Sequence, residues 1–263
     1  SGDVSSVIPV AEGMEESVLG WLSETQIKLK KLDRERKADA ASIQRLTQIY
    51  AALSQCNQAI VRCSSEHELF PIICRDAVQF GGMKMAWIGM LDEASRQVRP
   101  VASCGDGMGY LDGIEISLDP DAPSGRGPTS TAMRESQPFW CQDFIHDPMT
   151  LQWHERGALS GWGASASLPL KRNGDTVGSF NLYGGEANAF DEGIRTLLVE
   201  MALDISFALD NFAREEDRKR ATEVLHESES RLRAVTQSAS DAIITIDSAG
   251  NIVGWNGGGE AIF

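Results

Sequence analysis

ASASLPLKRNGDTVGSFNLY, Ala164 to Tyr183, is the stretch whose reading decides the fold. Ala164–Leu170 reads as a strand, Lys171-Arg-Asn-Gly-Asp175 as a hairpin turn, and Thr176–Tyr183 as the returning strand, the clearest β signal in the chain. Working outward, Met85-Ala-Trp-Ile-Gly-Met-Leu91 is apolar enough for a central strand, Glu93-Ala-Ser-Arg96 is a turn, and Gln97–Ser103 pairs back across it. Gly127–Glu135 is a short helix and Gln137–Cys141 a short strand. Gly105–Gly127, rich in Gly, Asp and Pro, is too long for an idle connection.

Helices flank this β-rich middle. Gly13 to about Val61 lacks proline and carries a heptad-like seam, with Leu22, Leu29, Ile43 and Tyr50 at one position and Leu32, Leu46 and Leu53 at the other. Arg36 and Asp39 interrupt the seam. Ser65 with Glu68 reads as a capping box that opens a second helix to Gln79; Pro71 should bend it and Gly81-Gly82 end it. Phe190-Asp-Glu192 opens the last helix, apolar at helical spacing from Ile194 to Phe212 and charged from Ala213 to Leu232. Asp210–Arg214, Glu215–Lys219, Glu216–Arg220, Glu227–Arg231 and Glu229–Arg233 are acid-first i,i+4 pairs that favour a continuous solvated rod. Leu225, Leu232 and Val235 leave an apolar line for a partner helix. Ala242–Asp247, the turn Ser248-Ala-Gly-Asn251 and Ile252–Trp255 then form a second hairpin, which cannot stand alone.

The formal net charge of −14 argues against nucleic acid or an anionic membrane surface as partner. No apolar run is long enough for a membrane span, and SGDVSSVIPV lacks the regions of a signal peptide, so a cytoplasmic location is expected. The initial Ser1 suggests that the chain begins inside a longer polypeptide. Cys56, Cys63, Cys74, Cys104 and Cys141 are odd in number and contain no C-x-x-C pair, which encodes neither a disulfide framework nor a zinc knuckle.

About Leu46 to Phe212 resembles a GAF domain, particularly the version found in bacterial cyclic-di-GMP signalling proteins. The residues that carry the likeness are Met85-Ala-Trp-Ile-Gly-Met-Leu91, Gly105-Asp-Gly-Met-Gly-Tyr-Leu-Asp112, Gly125-Arg-Gly-Pro-Thr129, Ser167-Leu-Pro-Leu170, Gly178-Ser-Phe-Asn-Leu-Tyr183 and Asp204-Ile-Ser-Phe-Ala-Leu-Asp210. From Glu227 onward, Glu-Ser-Arg-Leu-Arg-Ala-Val, Ser240-Asp-Ala-Ile-Ile-Thr-Ile-Asp247, Gly250-Asn-Ile-Val-Gly-Trp-Asn256 and Glu260-Ala-Ile-Phe263 resemble the first part of a PAS domain, although Gly257-Gly-Gly259 is glycine-rich for the helix that should start there. The expected fold class is α+β: a GAF-like antiparallel sheet flanked by helices, long terminal signalling helices and a truncated PAS hairpin. The expected division is a helical connector at 1–45, a GAF sensor at 46–212, a signalling helix at 213–236 and the opening of a PAS domain at 237–263.

The GAF resemblance implies a ligand-sized cavity under loops on one side of the sheet. Trp87, Tyr110, Leu111, Ile114, Trp140, Trp153, Trp162 and Tyr183 are its candidate walls, and Asp119, Asp143 and Ser165 its candidate polar contacts. The alternative is that the tryptophans are core and loop anchors. Related reductases of free methionine sulfoxide carry cysteines in the glycine loop and before the penultimate strand. Here Pro128 stands in the first place and Thr150–Gly163 holds no cysteine. Gln142 follows Cys141 where a bilin site commonly has histidine. Cys63 with His67, or His146 with His154, would be weak metal sites. Only Phe190-Asp-Glu192 matches the cyclic-nucleotide-binding pattern, and Gly105-Asp-Gly-Met-Gly109 lacks the context of a dinucleotide loop.

The sequence therefore predicts a non-enzymatic sensor with an unidentified small-molecule ligand and no nameable cofactor. It is expected to dimerise through its terminal helices and to control in cis a GGDEF or EAL output lying outside the chain. A histidine kinase is the alternative output; a GAF-fold reductase is disfavoured.

Overall fold

The structure, a computed structural model, describes residues 18–262 and divides into two units between Leu209 and Asp210. In the first unit α1 (Val18–Arg62) and α2 (Glu66–Gln79) precede β1 (Met85–Asp92) and β2 (Gln97–Gly105). Then follow α3 (Pro128–Glu135), β3 (Phe139–Cys141), α4 (His154–Ser160), β4 (Ala164–Arg172), β5 (Asp175–Gly184) and the first part of α5 (Glu192–Ser238). The five strands form one antiparallel sheet in the order β2-β1-β5-β4-β3.

The β4–β5 turn is tighter than the five residues expected. Arg172 pairs with Asp175, leaving Asn173-Gly174, whose φ values of 53° and 91° suit the primed turns that match strand twist. Period-two alternation then sorts the strands. Ala86, Ile88, Leu168, Leu170, Phe180 and Leu182 share one buried face. That face is covered by helices. Lys171 N donates to Ser206 Oγ of α5 at 3.0 Å, and Ile73, Ile194, Met201 and Ile205 are almost wholly buried. Met85, Trp87, Ser165, Ser167, Asn181 and Tyr183 share the opposite face, which lies under α3 and the long connections.

The capping box of α2 forms with a shifted reciprocal arm. Glu68 N donates to Ser65 Oγ at 3.4 Å, but the Glu68 carboxylate accepts from Ser64 N and Oγ. Of the α1 seam, Leu53 is buried, whereas Leu22, Leu29, Leu32, Leu46, Ile43 and Tyr50 are exposed. A 3-10 turn (Pro148–Trp153) and α4 occupy a stretch for which the sequence pattern predicts no element. α4 has no side-chain cap and depends on packing: a β-carbon on Gly157 would lie 2.4 Å from the Phe144 ring.

In the second unit α5 is exposed and charged. Asp210–Arg214, Glu216–Arg220 and Glu227–Arg231 pair as expected, while Glu215 turns to Arg218, a spacing of three, at 2.8 Å. β6 (Ile244–Ile246), β7 (Ile252–Trp255) and α6 (Gly257–Ile262) follow. Asn256, buried, ties them together. Its Nδ2 donates to the Thr236 and Asp241 carbonyls, and its Oδ1 accepts from Ile243 N and Gly259 N. The middle glycine of the run is explained here, because a β-carbon on Gly258 would stand 2.6 Å from Asp241 O and 2.8 Å from Ala239 O.

Two outcomes test this architecture. Phe180→Ala should cost about 3–5 kcal/mol in urea unfolding, whereas Leu203→Ala, on an exposed position of α5, should stay within about 0.5 kcal/mol of the parent. Gly258→Ala should abolish hydrogen-exchange protection of the β6–β7 amides while β4 and β5 keep theirs; retained protection would refute the close-approach argument.

Candidate functional site

The sheet face opposite the helices carries a ladder of small polar residues. Ser165, Ser167, Ser179 and Asn181 are all buried, and Thr129 of α3 closes over them. Asn181 Oδ1 accepts from Thr129 Oγ1 at 2.9 Å and from Ser179 Oγ at 3.0 Å. The Ser165 hydroxyl meets no strong hydrogen-bond acceptor or donor; across the β3–β4 pairing it faces only the weakly accepting Cys141 thiol, whose pKa it holds down slightly. The buried Trp162 Nε1 is unpartnered.

Beside these groups lies a cavity of about 20 Å³, lined in part by Tyr110, Thr129, Ser130, Trp153, Ser165, Ser167 and Tyr183. That is room for one water molecule. Aromatic side chains occupy the rest. Trp162 packs on Tyr183 at 4.2 Å between centroids, Phe144 and Tyr110 meet Tyr183 at 5.8 and 6.1 Å, and Tyr110 and Phe144 stand edge-on to Trp162. Trp87 Nε1 donates to the Tyr183 hydroxyl at 3.4 Å. Burial raises both tyrosine pKa values, and Tyr183 beside it pushes Tyr110 further up, so both rings stay neutral. The cavity therefore offers neutral hydroxyls and aromatic faces; Arg156 reaches only its margin, donating to the Tyr110 carbonyl.

The eleven residues expected at a pocket separate. Tyr110, Trp153, Ser165 and Tyr183 line the cavity. Trp87 and Trp162 are wholly buried in the aromatic cluster, with Leu111 and Ile114 packed against it. Trp140 lies on the helix-covered face, tilted on Phe190 at 5.8 Å with the Arg195 guanidinium 5.3 Å from its ring. Two polar contacts fail because local turns claim them. Asp119 is exposed and accepts from Asp121 N, and Asp143 is exposed and pairs with His146 at 2.9 Å, which lowers its pKa. Thr129, Ser130 and Ser167 join the lining, with Asn181 bonded to Thr129 beside them; serines two apart in β4 are the period-two signal for one face.

The weighed metal sites also come apart. α1 ends at Arg62 and α2 begins at Glu66, so Cys63 and His67 share no helical face. His154 Nε2 donates to the Asp147 carbonyl, and His146 faces Asp143. Among the described residues no group of three His, Cys, Asp or Glu is placed to hold a metal, and no helix is long and apolar enough to cross a membrane.

A family model described as GAF domain matches residues 63–210, more than half of the chain. The chain belongs to the GAF family. Solved structures agree at the level of fold. The GAF domain of a phosphoenolpyruvate-protein phosphotransferase from Coxiella burnetii superposes with a TM-score of 0.55 at 12% identity, over 65% of this chain and 98% of that one. The free methionine-R-sulfoxide reductase of Neisseria meningitidis, in complex with its substrate, gives 0.53 at 15% identity, over 64% and 91%. No curated protein sequence matches the chain.

Within the GAF domain Cys141 is buried, and loss of hydration, reinforced by Asp147, lifts its thiol to about 11 from 9.0. Between those values the folded state holds a proton that the unfolded thiol releases, so this contribution to stability is present below pH 9 and lost as pH rises toward 11. Urea midpoints at pH 8 and pH 10 should show alkaline destabilisation that shrinks by about 1 kcal/mol in Cys141→Ala; an unchanged pH response would remove Cys141 from the account.

Proposed function

We propose that this chain is the cytoplasmic sensor region of a bacterial signal-transduction protein, regulatory and not catalytic, whose input is a small neutral ligand of the inner GAF face. The observation that carries the reading is the Ser165 hydroxyl, buried at the cavity with no partner better than the weakly accepting Cys141 thiol. Buried polar groups are rarely left so, and an entering hydroxyl, amide or carbonyl would satisfy it. Because aromatic rings fill the cavity, ligand entry requires Tyr110, in the 3-10 turn Met108–Leu111, and Trp153, in the turn Pro148–Trp153, to move outward. A ligand shifts the equilibrium only by its preference for that opened form.

The route out runs through β3. Cys141 faces the cavity side, while the next residue clasps the start of α5. Gln142 Nε2 donates to Phe190 O at 2.6 Å, Gln142 Oε1 accepts from Phe190 N at 3.3 Å, and Arg195 Nε binds the same Phe190 carbonyl. Displacement of β3 would therefore bear on α5, which continues without a break to Ser238. The PAS-like residues from Glu227 onward would pass the shift to a GGDEF or EAL output, with a histidine kinase as the other output class. The exposed apolar residues of α1 and those of α5, Leu225, Leu232 and Val235, would mediate parallel dimerisation. Against the reductase reading stands the burial and high pKa of Cys141, the thiol beside the cavity.

Tryptophan fluorescence titration with a panel of neutral metabolites should find a saturable ligand whose binding Ser165→Val weakens by about tenfold. In the intact protein, Gln142→Ala and the double substitution Ala221→Pro with Thr222→Pro should leave that binding unchanged while abolishing ligand control of cyclic-di-GMP turnover. Control that survives both substitutions would sink the relay.

A further inference from the structure

A separate hollow of the GAF unit lies on the side away from the aromatic cluster, bounded by α1, the lead into β1, the exit from β5 and Ile194 of α5. Its volume is about 330 Å³, within the range of small-molecule sites. Four glycines, Gly81, Gly82, Gly184 and Gly185, line it without side chains. A β-carbon on Gly185 would come within 3.1 Å of Lys84 Cε, and one on Gly82 within 2.8 Å of Gln48 Oε1. Ile49 and Met83 supply buried apolar walls.

The polar end carries two basic side chains whose carboxylate partners leave them incompletely satisfied. Arg45 Nη1 donates to the exposed Glu186 carboxylate at 3.2 Å, but Arg45 Nε is buried and has no partner. Lys84 Nζ reaches Asp106 only at 3.9 Å. A guanidinium edge buried without an acceptor is costly, and its fork geometry suits a carboxylate. Glu186 already engages one edge, which leaves the Nε edge to an incoming group.

We propose that this hollow is a second ligand site, which binds a small aliphatic carboxylate. The carboxylate accepts from the Arg45 guanidinium, which turns to bring its buried Nε edge into the hollow, and lies beside Lys84, while the chain of methylenes packs on Ile49 and Met83. The site is independent of the inner cavity and of the ligand proposed there. A ligand in it would touch both α1 and Ile194 of α5, the two helices that leave the sheet core.

The test is an amide-resolved NMR titration of the full chain with hexanoate, with hexan-1-ol as the uncharged control. Hexanoate should bind saturably, with shifts centred on Gly82, Gly184 and Gly185, and about tenfold or more tighter than the alcohol. Arg45→Met should weaken it to the level of the alcohol. If that variant melts early, Lys84→Met, at an exposed position, should still weaken hexanoate about threefold. The proposal is overturned by shifts centred on Tyr110 and Tyr183, by equal affinity for acid and alcohol, or by hexanoate binding that neither substitution changes.

Discussion

β5 is hydrogen-bonded along both edges, to β1 and β4, and its alternating side chains reach both buried layers of the GAF domain. Phe180 and Leu182 point to the helices, Asn181 and Tyr183 to the cavity. A one-residue slip would exchange those sets and bury polar groups under the helices. The Asn173-Gly174 turn guards against that slip, since only residues tolerant of positive φ close the hairpin in two residues. The helical cover and the aromatic cluster both depend on this register.

The two layers are packed on different principles. The helix-covered layer is apolar and closes on itself around Leu168, Phe180 and Ile205. The cavity layer stacks large rings above a serine and asparagine ladder, and a small void remains there beside Ser165.

The proposed coupling across the domain would run through β3, a strand of three residues at the sheet edge. Its alternation sends Cys141 toward the cavity, and Gln142 holds the backbone at the beginning of α5 through paired side-chain bonds. In α5 the change from apolar to charged composition near Leu209 marks where burial ends, yet helical hydrogen bonding does not stop there, as the i,i+4 and i,i+3 pairs support the exposed turns.

What the sequence by itself determined is whatever depends on local periodicity. The strands about Ala164–Tyr183, the helix starts at Ser65 and Asp191, the charged run of α5 and the β6–β7 hairpin all follow from spacing, caps and turn residues. The GAF likeness was legible because its motifs keep order along the chain. Tertiary structure decided the rest. Whether Trp162 and Tyr183 wall a pocket or plug it depends on ring positions contributed from segments remote in sequence. Asp119 and Asp143 were claimed by backbone amides and a histidine two or three residues away, Trp140 went to the helical face because β3 pairs with β4 in one register only, and α4 exists because Phe144 packs on Gly157. The ring positions, Trp140 and α4 rest on contacts between distant parts of the chain, which no spacing within one segment encodes, while the two aspartates are settled by local turns whose side-chain partners form only once the backbone is folded.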